Sequence, residues 1–425
     1  MLNKALHILL FICLTCINAS GQIDDTLKEG RSHFEGLTKT KESFLRDQIS
    51  LKFNQKFSVK VVEKNVQLIK NIAGIKQTTY RLDTLGQYVE VTYTVEEMNT
   101  LVPILNFGSI RGNTWLQLGV TDYNWLGRGQ FLSASYQNNN GLHAGKIFYK
   151  IPRRYKSVWG YTASVSSWAS EEPLYFREAT VDYIYQNHSL GLSAIRHLSN
   201  VTSIEFGSTA FVEIYDKVQN QPEENLPGPD QLTQEKLLTK GSLLINKINF
   251  DYFYREGQLW NLTYQNVYTA DEDITFNSVQ LEGQYYFRPT KKINIATRIK
   301  VGISSNTDSP FAPFVADSHI NIRGIGNRIS RGTAEAILNV EYRHTISHHN
   351  TWASQMVVFT DVGSWRDPAG QISELYTPSQ IRQFVGIGSR IIYKKLFGAT
   401  LRIDYGVDIH HTNDRGLVIG LGQYF

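Results

Sequence analysis

From about residue 106 to residue 425 apolar and polar side chains alternate along segments of roughly ten residues or more, and one of the two faces is strongly charged. In 278–287, Val279, Leu281, Gly283, Tyr285 and Phe287 share one face, opposite Ser278, Gln280, Glu282, Gln284 and Tyr286. In 293–303, Ile293, Ile295, Ile299, Val301 and Ile303 oppose Asn294, Arg298 and Lys300. In 399–410, Leu401, Ile403, Tyr405, Val407 and Ile409 oppose Arg402, Asp404, Asp408 and His410. A period of two is that of a β-strand. Soluble strands run about 5–6 residues, whereas a tilted strand needs about 9–11 to cross a bilayer. The pattern predicts an all-β transmembrane barrel, apolar outside and polar in the lumen.

About sixteen segments are counted, near 106–121, 128–140, 142–151, 157–170, 174–186, 188–200, 202–217, 240–255, 257–270, 276–289, 292–305, 333–346, 351–363, 382–395, 397–410 and 414–425. An even number closes an antiparallel barrel with both ends on one side. The long connections 218–239, 306–332 and 364–381 then follow odd-numbered strands, and short turns such as Asn138 to Gly141 or Ser347 to Asn350 follow even ones. Long loops outside and short turns in the periplasm are the expected asymmetry. Aromatic residues make up 12% of the chain, 23 of them tyrosine, as the interfacial belts of a barrel require. A net charge of only +4 argues against nucleic acid as a partner.

Ahead of the barrel the pattern changes. Residues 1–21 read as a secretory signal: Lys4, an apolar stretch from Ala5 to Ile17, then Ala19, Ser20 and Gly21. Cys13 and Cys16, the two cysteines of the chain, lie inside it, so disulfide and thiol chemistry are not expected of the mature protein. No apolar run approaches the length of a spanning helix. Residues 22–103 read as a small α+β (βααββ) domain, with the barrel occupying 104–425. Its elements are a strand from Ser32 to Leu37, helices Lys39 to Ser50 and Ser58 to Ile72, and strands Ile75 to Leu82 and Tyr88 to Glu96. Thr38 and Ser58 are the expected N-caps. Val61, Val62, Val66, Ile69 and Ile72 form the buried stripe of the second helix. The position of this domain next to the barrel places it in the periplasm.

The long connection before the twelfth segment reads Asn-Ile-Arg-Gly-Ile-Gly-Asn-Arg-Ile-Ser-Arg-Gly over 321–332. By alternation, Glu341 and Asp361 on the next two strands point away from lipid, where an arginine folded into the lumen meets both. Here the sequence resembles the BamA-like superfamily, the bacterial surface antigen family of assembly and secretion barrels. The family carries an arginine–glycine motif on its sixth outer loop, paired with carboxylates on the following strands. The resemblance implies a loop-six cluster of Arg323, Gly324, Glu341 and Asp361. Asp122 to Gly129 looks like the family's first outer hairpin, and Gly386 to Arg390 and Leu401 to Gly406 look like its fourteenth and fifteenth strands. Residues 22–103 are similar to a single POTRA domain, where assembly factors typically have several. Ile325 stands where an aromatic is usual.

The cluster reads either as a pin that plugs the lumen or as a holder of the loop in a state needed for substrate passage. The last strand, ending Gly420-Leu421-Gly422-Gln423-Tyr424-Phe425, is similar to the signal by which outer-membrane barrels are recognised for insertion. Gly420, Gly422 and Phe425 mark a lateral seam between first and last strands, because glycine weakens pairing. The other reading of the glycines is relief of crowding. His348-His349 and His410-His411 are neighbours that point to opposite faces of a strand, which argues against a metal site. No catalytic constellation and no cofactor site stands out. The expectation is an outer-membrane barrel that inserts or translocates unfolded protein clients, in contact with lipid and with periplasmic chaperones or accessory lipoproteins. The alternatives are a passive or structural pore and a dedicated secretion pore for one exported partner.

Overall fold

A computed structural model describes residues 27–425 apart from 50–52, 111–112, 154–156, 177–178, 220, 222–225, 271–273, 308–311, 319 and 327–329. The expected signal segment 1–21 lies outside the described residues.

The first unit is β1 (Lys28–Glu35), α1 (Glu42–Gln48), α2 (Val59–Lys70), β2 (Ile75–Leu85) and β3 (Tyr88–Glu97), with sheet order β1-β3-β2 and β1 parallel to β3. On α2, Val62 and Ile69 are buried, three and four residues away from Asn65. They pack on Val89, Val91, Tyr93 and Val95, the inward set of β3. The Thr38 N-cap is corrected: α1 begins at Glu42, and the Thr38 hydroxyl donates to Glu97 instead, at 2.6 Å.

The barrel wall follows as β4 (Leu101–Ile110), β5 (Asn113–Trp125), β6 (Gln130–Asn139), β7 (Leu142–Ile151), β8 (Trp159–Tyr175), β9 (Thr180–His197), β10 (Thr202–Lys217) and β11 (Gln231–Asn246). The short β12 (Asn249–Asp251) leads into β13 (Tyr254–Thr269), β14 (Ile274–Thr290) and β15 (Ile293–Ser304). A loop carries the two-stranded ribbon β16 (Phe314–Ala316) and β17 (Ser330–Gly332). The wall resumes with β18 (Ala334–His348), β19 (Trp352–Arg366), β20 (Arg382–Tyr393), β21 (Thr400–Asp408) and β22 (Arg415–Leu421). Ribbon and β12 aside, sixteen antiparallel strands form a closed barrel, with β22 beside β4. The outward face carries Leu192, Phe206 and Ile387 at 61%, 62% and 63% exposure, while Glu341, Asp361 and Asp404 on the inward face are at 0%. A surface of that kind fits lipid. Trp159, Trp260, Phe287 and Trp352 are exposed toward one end, and Tyr136 and Tyr268 toward the other, as interfacial belts.

The predicted number of wall strands holds through two compensating departures. The segment 106–121 is two strands, β4 and β5, and the segments 174–186 and 188–200 are the single β9. The turn at Asn140–Gly141 therefore follows the third wall strand, and Asp122 to Gly129 lies at the opposite end from the one expected of an outer hairpin. From β10 onward expectation and structure share one count, and the long connections follow wall strands seven, eleven and thirteen.

The small unit sits across one mouth of the barrel. Lys39 reaches Asp122 at 2.7 Å and the Lys41 amide donates to the Gly127 carbonyl at 2.8 Å, beside the turn after β5. Lys70 pairs with Asp251 at 3.1 Å, and the Phe250 amide donates to Asn71 at 3.0 Å, between β11 and β13. Asn99 exchanges main-chain bonds with Lys395 and Phe397, in the turn after β20. These three footholds are spread around the rim.

Candidate functional site

The loop between β15 and β18 folds into the lumen. Ser318 and Gly326 close its base: the Ser318 amide donates to the Gly326 carbonyl and the Gly326 amide to the Ser318 hydroxyl, each at 2.6 Å. Arg323 lies at its tip and is fully buried. Its Nε and Nη2 donate to the two oxygens of Asp361 at 2.8 Å, and its amide donates to Asp361 at 2.9 Å. Its Nη1 donates to Glu341. This bidentate fork suits a planar guanidinium and carboxylate. The expected cluster of Arg323, Glu341 and Asp361 is thus assembled in one place.

The site extends beyond the expected cluster. Asp404 on β21 stands 3.7 Å from Arg323 and takes a two-pronged pair from Arg390 of β20, at 2.6 and 3.1 Å. Arg343 donates to the second oxygen of Glu341 at 2.6 Å, and Arg402 lies 3.6 Å from Asp404. Asn339 bridges Asp361 and the Asn321 carbonyl and accepts from Arg298. Arginines outnumber the carboxylates here, and aromatic faces meet the surplus charge. Arg323 is stacked between Phe359 and Tyr424, its guanidinium carbon 3.6 and 4.2 Å from the ring centres. Arg343 and Arg298 sit over Phe425 at 5.5 and 5.2 Å.

Gly324 explains how the loop comes so close to the wall. Its φ is +97°, a region that favours glycine. A β-carbon there would stand 2.8 Å from the Gly406 carbonyl and 2.9 Å from Phe384. Gly406 and Gly416 are cross-strand partners on β21 and β22, and the tip of the loop lies on that bare patch. Ile325, which replaces the usual aromatic, packs on the cluster of Phe314, Ile322, Trp365 and Phe384.

The seam residues separate. Gly420 is in β22 with Arg402 and Asn106 close by, so a side chain there would be crowded. Gly422 lies beyond the strand with φ +93° and open space around it. Here the expected last strand, 414–425, is corrected: pairing stops at Leu421, and Gly422 turns the chain into the lumen. Phe425 is accordingly no part of the seam; it packs with Tyr424, Tyr286, Ala296 and Ile248. At the far end Arg331 of β17 pairs with Glu172 of β8, so the loop reaches the opposite wall. Between these obstructions a cavity of about 440 Å³ is lined by Lys150, Thr162, Ser164, Ser193, Glu205 and Lys240. Among the described residues no cluster of metal-binding side chains is found.

Residues 124–425 match the Omp85 superfamily domain. The fold is similar to that of BamA from Haemophilus ducreyi lacking POTRA domains 1–3, at 16% identity and TM-score 0.54, over 93% of this chain and 83% of that one. It is also similar to CdiB from Acinetobacter baumannii, at 11% identity and TM-score 0.60, over 94% and 74% of the two chains. CdiB from Escherichia coli aligns at 11% identity and TM-score 0.59, over 94% and 77%. No curated protein matches the chain. With the match extending over most of the barrel and its arginine-bearing loop, the chain belongs to the Omp85 superfamily, and is an outer-membrane β-barrel of the protein insertion and secretion class.

Proposed function

We propose that this barrel inserts or translocates protein clients at the outer membrane, receiving them from the periplasm through its POTRA-like domain. The observation that carries the reading is the pairing of a free sheet edge with a short seam. In the domain β2 bonds to β3 on one side and is largely exposed, which suits strand addition by an extended client. In the barrel β22 is seven residues long, against eighteen in β9, so little ladder holds it against β4. Periplasmic chaperones or accessory lipoproteins would deliver the client, and outer-membrane lipid surrounds the wall. The chemistry asked of the protein is templated hydrogen bonding, with no catalytic group and no cofactor. A second reading, a secretion pore for one exported partner, draws on the hydroxyl-lined cavity, where Ser193 and Lys240 both bind Glu205.

Site-specific crosslinking in cells from β2, β4 and β22 tests the proposal. Nascent barrel proteins trapped on β4 and β22 are the expected result. A secreted polypeptide trapped at lumen positions such as Thr162, with the seam silent, would favour the second reading. Silence at both, with strong single-channel conductance, would reduce the protein to a passive pore.

A further inference from the structure

We infer that Tyr424 is a positioning residue for loop six, and that the Gly422–Phe425 tail is a detachable latch coupling the seam strand β22 to the Arg323 loop. The tail hangs from β22 by Gly422, the residue that reverses it into the lumen. Inside, it is held by side chains from several strands and by the loop. Arg390 of β20 donates to Gln423 at 3.3 Å, and Gln423 contacts Gln355 of β19 at 3.5 Å. Arg343 of β18 donates to the Phe425 main-chain oxygen at 3.3 Å. The Tyr424 hydroxyl donates to the Ser318 carbonyl at 3.2 Å, at the base of the loop. The Tyr424 ring closes one face of Arg323, while Phe359 on the rigid wall closes the other.

Two of these contacts join the tail to the loop itself, at its base and at its tip. Tyr424 is three residues from Leu421, a reach of at most about 10 Å, so a swing of β22 that carries Leu421 beyond that reach pulls Tyr424 off Arg323. Arg323 then loses one of its two stacking faces, and the loop base loses the hydroxyl that pins Ser318. Conversely, a loop that leaves the lumen removes the floor on which Tyr424 lies. A coupling of this kind acts equally in both directions. Gln423 and Phe425 contact the wall, so the loop is reached through Tyr424.

The coupling is a property of the barrel alone and stands whether the protein inserts, secretes or simply conducts. Its test uses the purified mature protein, without the cysteine-bearing segment 1–21, in liposomes and without client. Cysteine at Ala316, a buried loop position, reports the loop; cysteine at Gln423 reports the tail. Tyr424→Ala should raise maleimide labelling at the loop by roughly tenfold or more, the loss expected of a desolvated cation–π contact. Arg323→Lys should raise labelling at the tail by a similar factor, and Tyr424→Trp, which keeps a ring over Arg323 but loses the hydroxyl at Ser318, should bring loop labelling part of the way back to the parent rate. Where Tyr424→Ala does not fold, Tyr424→Leu decides in the same way. A lower melting temperature with loop labelling unchanged would mean that Tyr424 only fills space, and would overturn the inference. So would loop labelling in the Trp variant as fast as in Tyr424→Ala, or a tail indifferent to Arg323→Lys.

Discussion

Arg323 is the residue whose loss is felt furthest. Removing it leaves Glu341 and Asp361 buried and short of a partner, a change that costs about 3–5 kcal/mol for a buried pair. Arg323→Ala should therefore lower the temperature at which the barrel loses its heat-resistant band on SDS gels, and Arg323→Lys should recover little, because an ammonium cannot form the fork to Asp361 or stack between two rings. Equal heat resistance in all three proteins would remove the cluster as a stabilising element. The pairing of Arg323 with Glu341 and Asp361 was legible in sequence, since strand alternation puts both carboxylates in the lumen. Asp404 and Arg390 were not, although they stand in segments that resemble the family. Charged inward residues occur on most wall strands, and alternation does not say which of them share a level. Tyr424 is invisible to alternation, because the pattern runs on past Gly422, where the strand itself ends.

At the scale of elements, strand type was easier to read than strand ends. The break between β4 and β5 is hidden inside the single segment expected over 106–121, where Leu116, Leu118 and Val120 carry the alternation, and the segments expected to meet at Asn187 divide β9 among polar residues in mid-strand. The polar start of β11, Gln231 to Lys236, lies in the connection expected over 218–239, yet it pairs in register with the outer half of β10. A ladder supplied by a neighbouring strand outweighs local propensity there. The junction between β3 and the segment 38–40 carries a pH dependence. Burial works against the charged form of Glu97, but donors from Thr38, Thr40 and the Lys39 amide outweigh it and hold the carboxylate below its ordinary value of 4.5. The stability this gives is complete above that value and falls away as pH drops through the lower, folded one. Protection of the amides of 38–40, measured as intrinsic over observed exchange rate, should be high from neutral pH down to about pH 5 and fall in more acid buffer. Glu97→Gln should exchange fast throughout; a Gln variant with the same pH profile as the parent would assign the dependence elsewhere.

The whole molecule is obstructed at both ends, by the domain across one mouth and by the loop that spans to Glu172 at the other. The open space lies along the β7–β11 side, with Ser and Thr on the wall, while the β18–β22 side is filled by loop and tail. Purified protein in planar bilayers should show low conductance. Glu172→Ala, which frees Arg331 and the far end of the loop, should give larger and more frequent openings. Unchanged openings would mean that the bridge to β8 does not limit passage. The barrel and its arginine loop were recognisable from sequence because each repeats a local rule many times or matches a family motif. The seating of the domain was not, because it depends on single contacts between turns far apart in the chain. Those contacts give the rim the character of a braced frame. A load applied to the domain, as by a client strand pulling on β2, reaches the ring at three separated points, and unequal tension between them warps the circle. The wall would yield first where its ladder is shortest, so force arriving at the domain is converted into shear along β22 without any dedicated moving part.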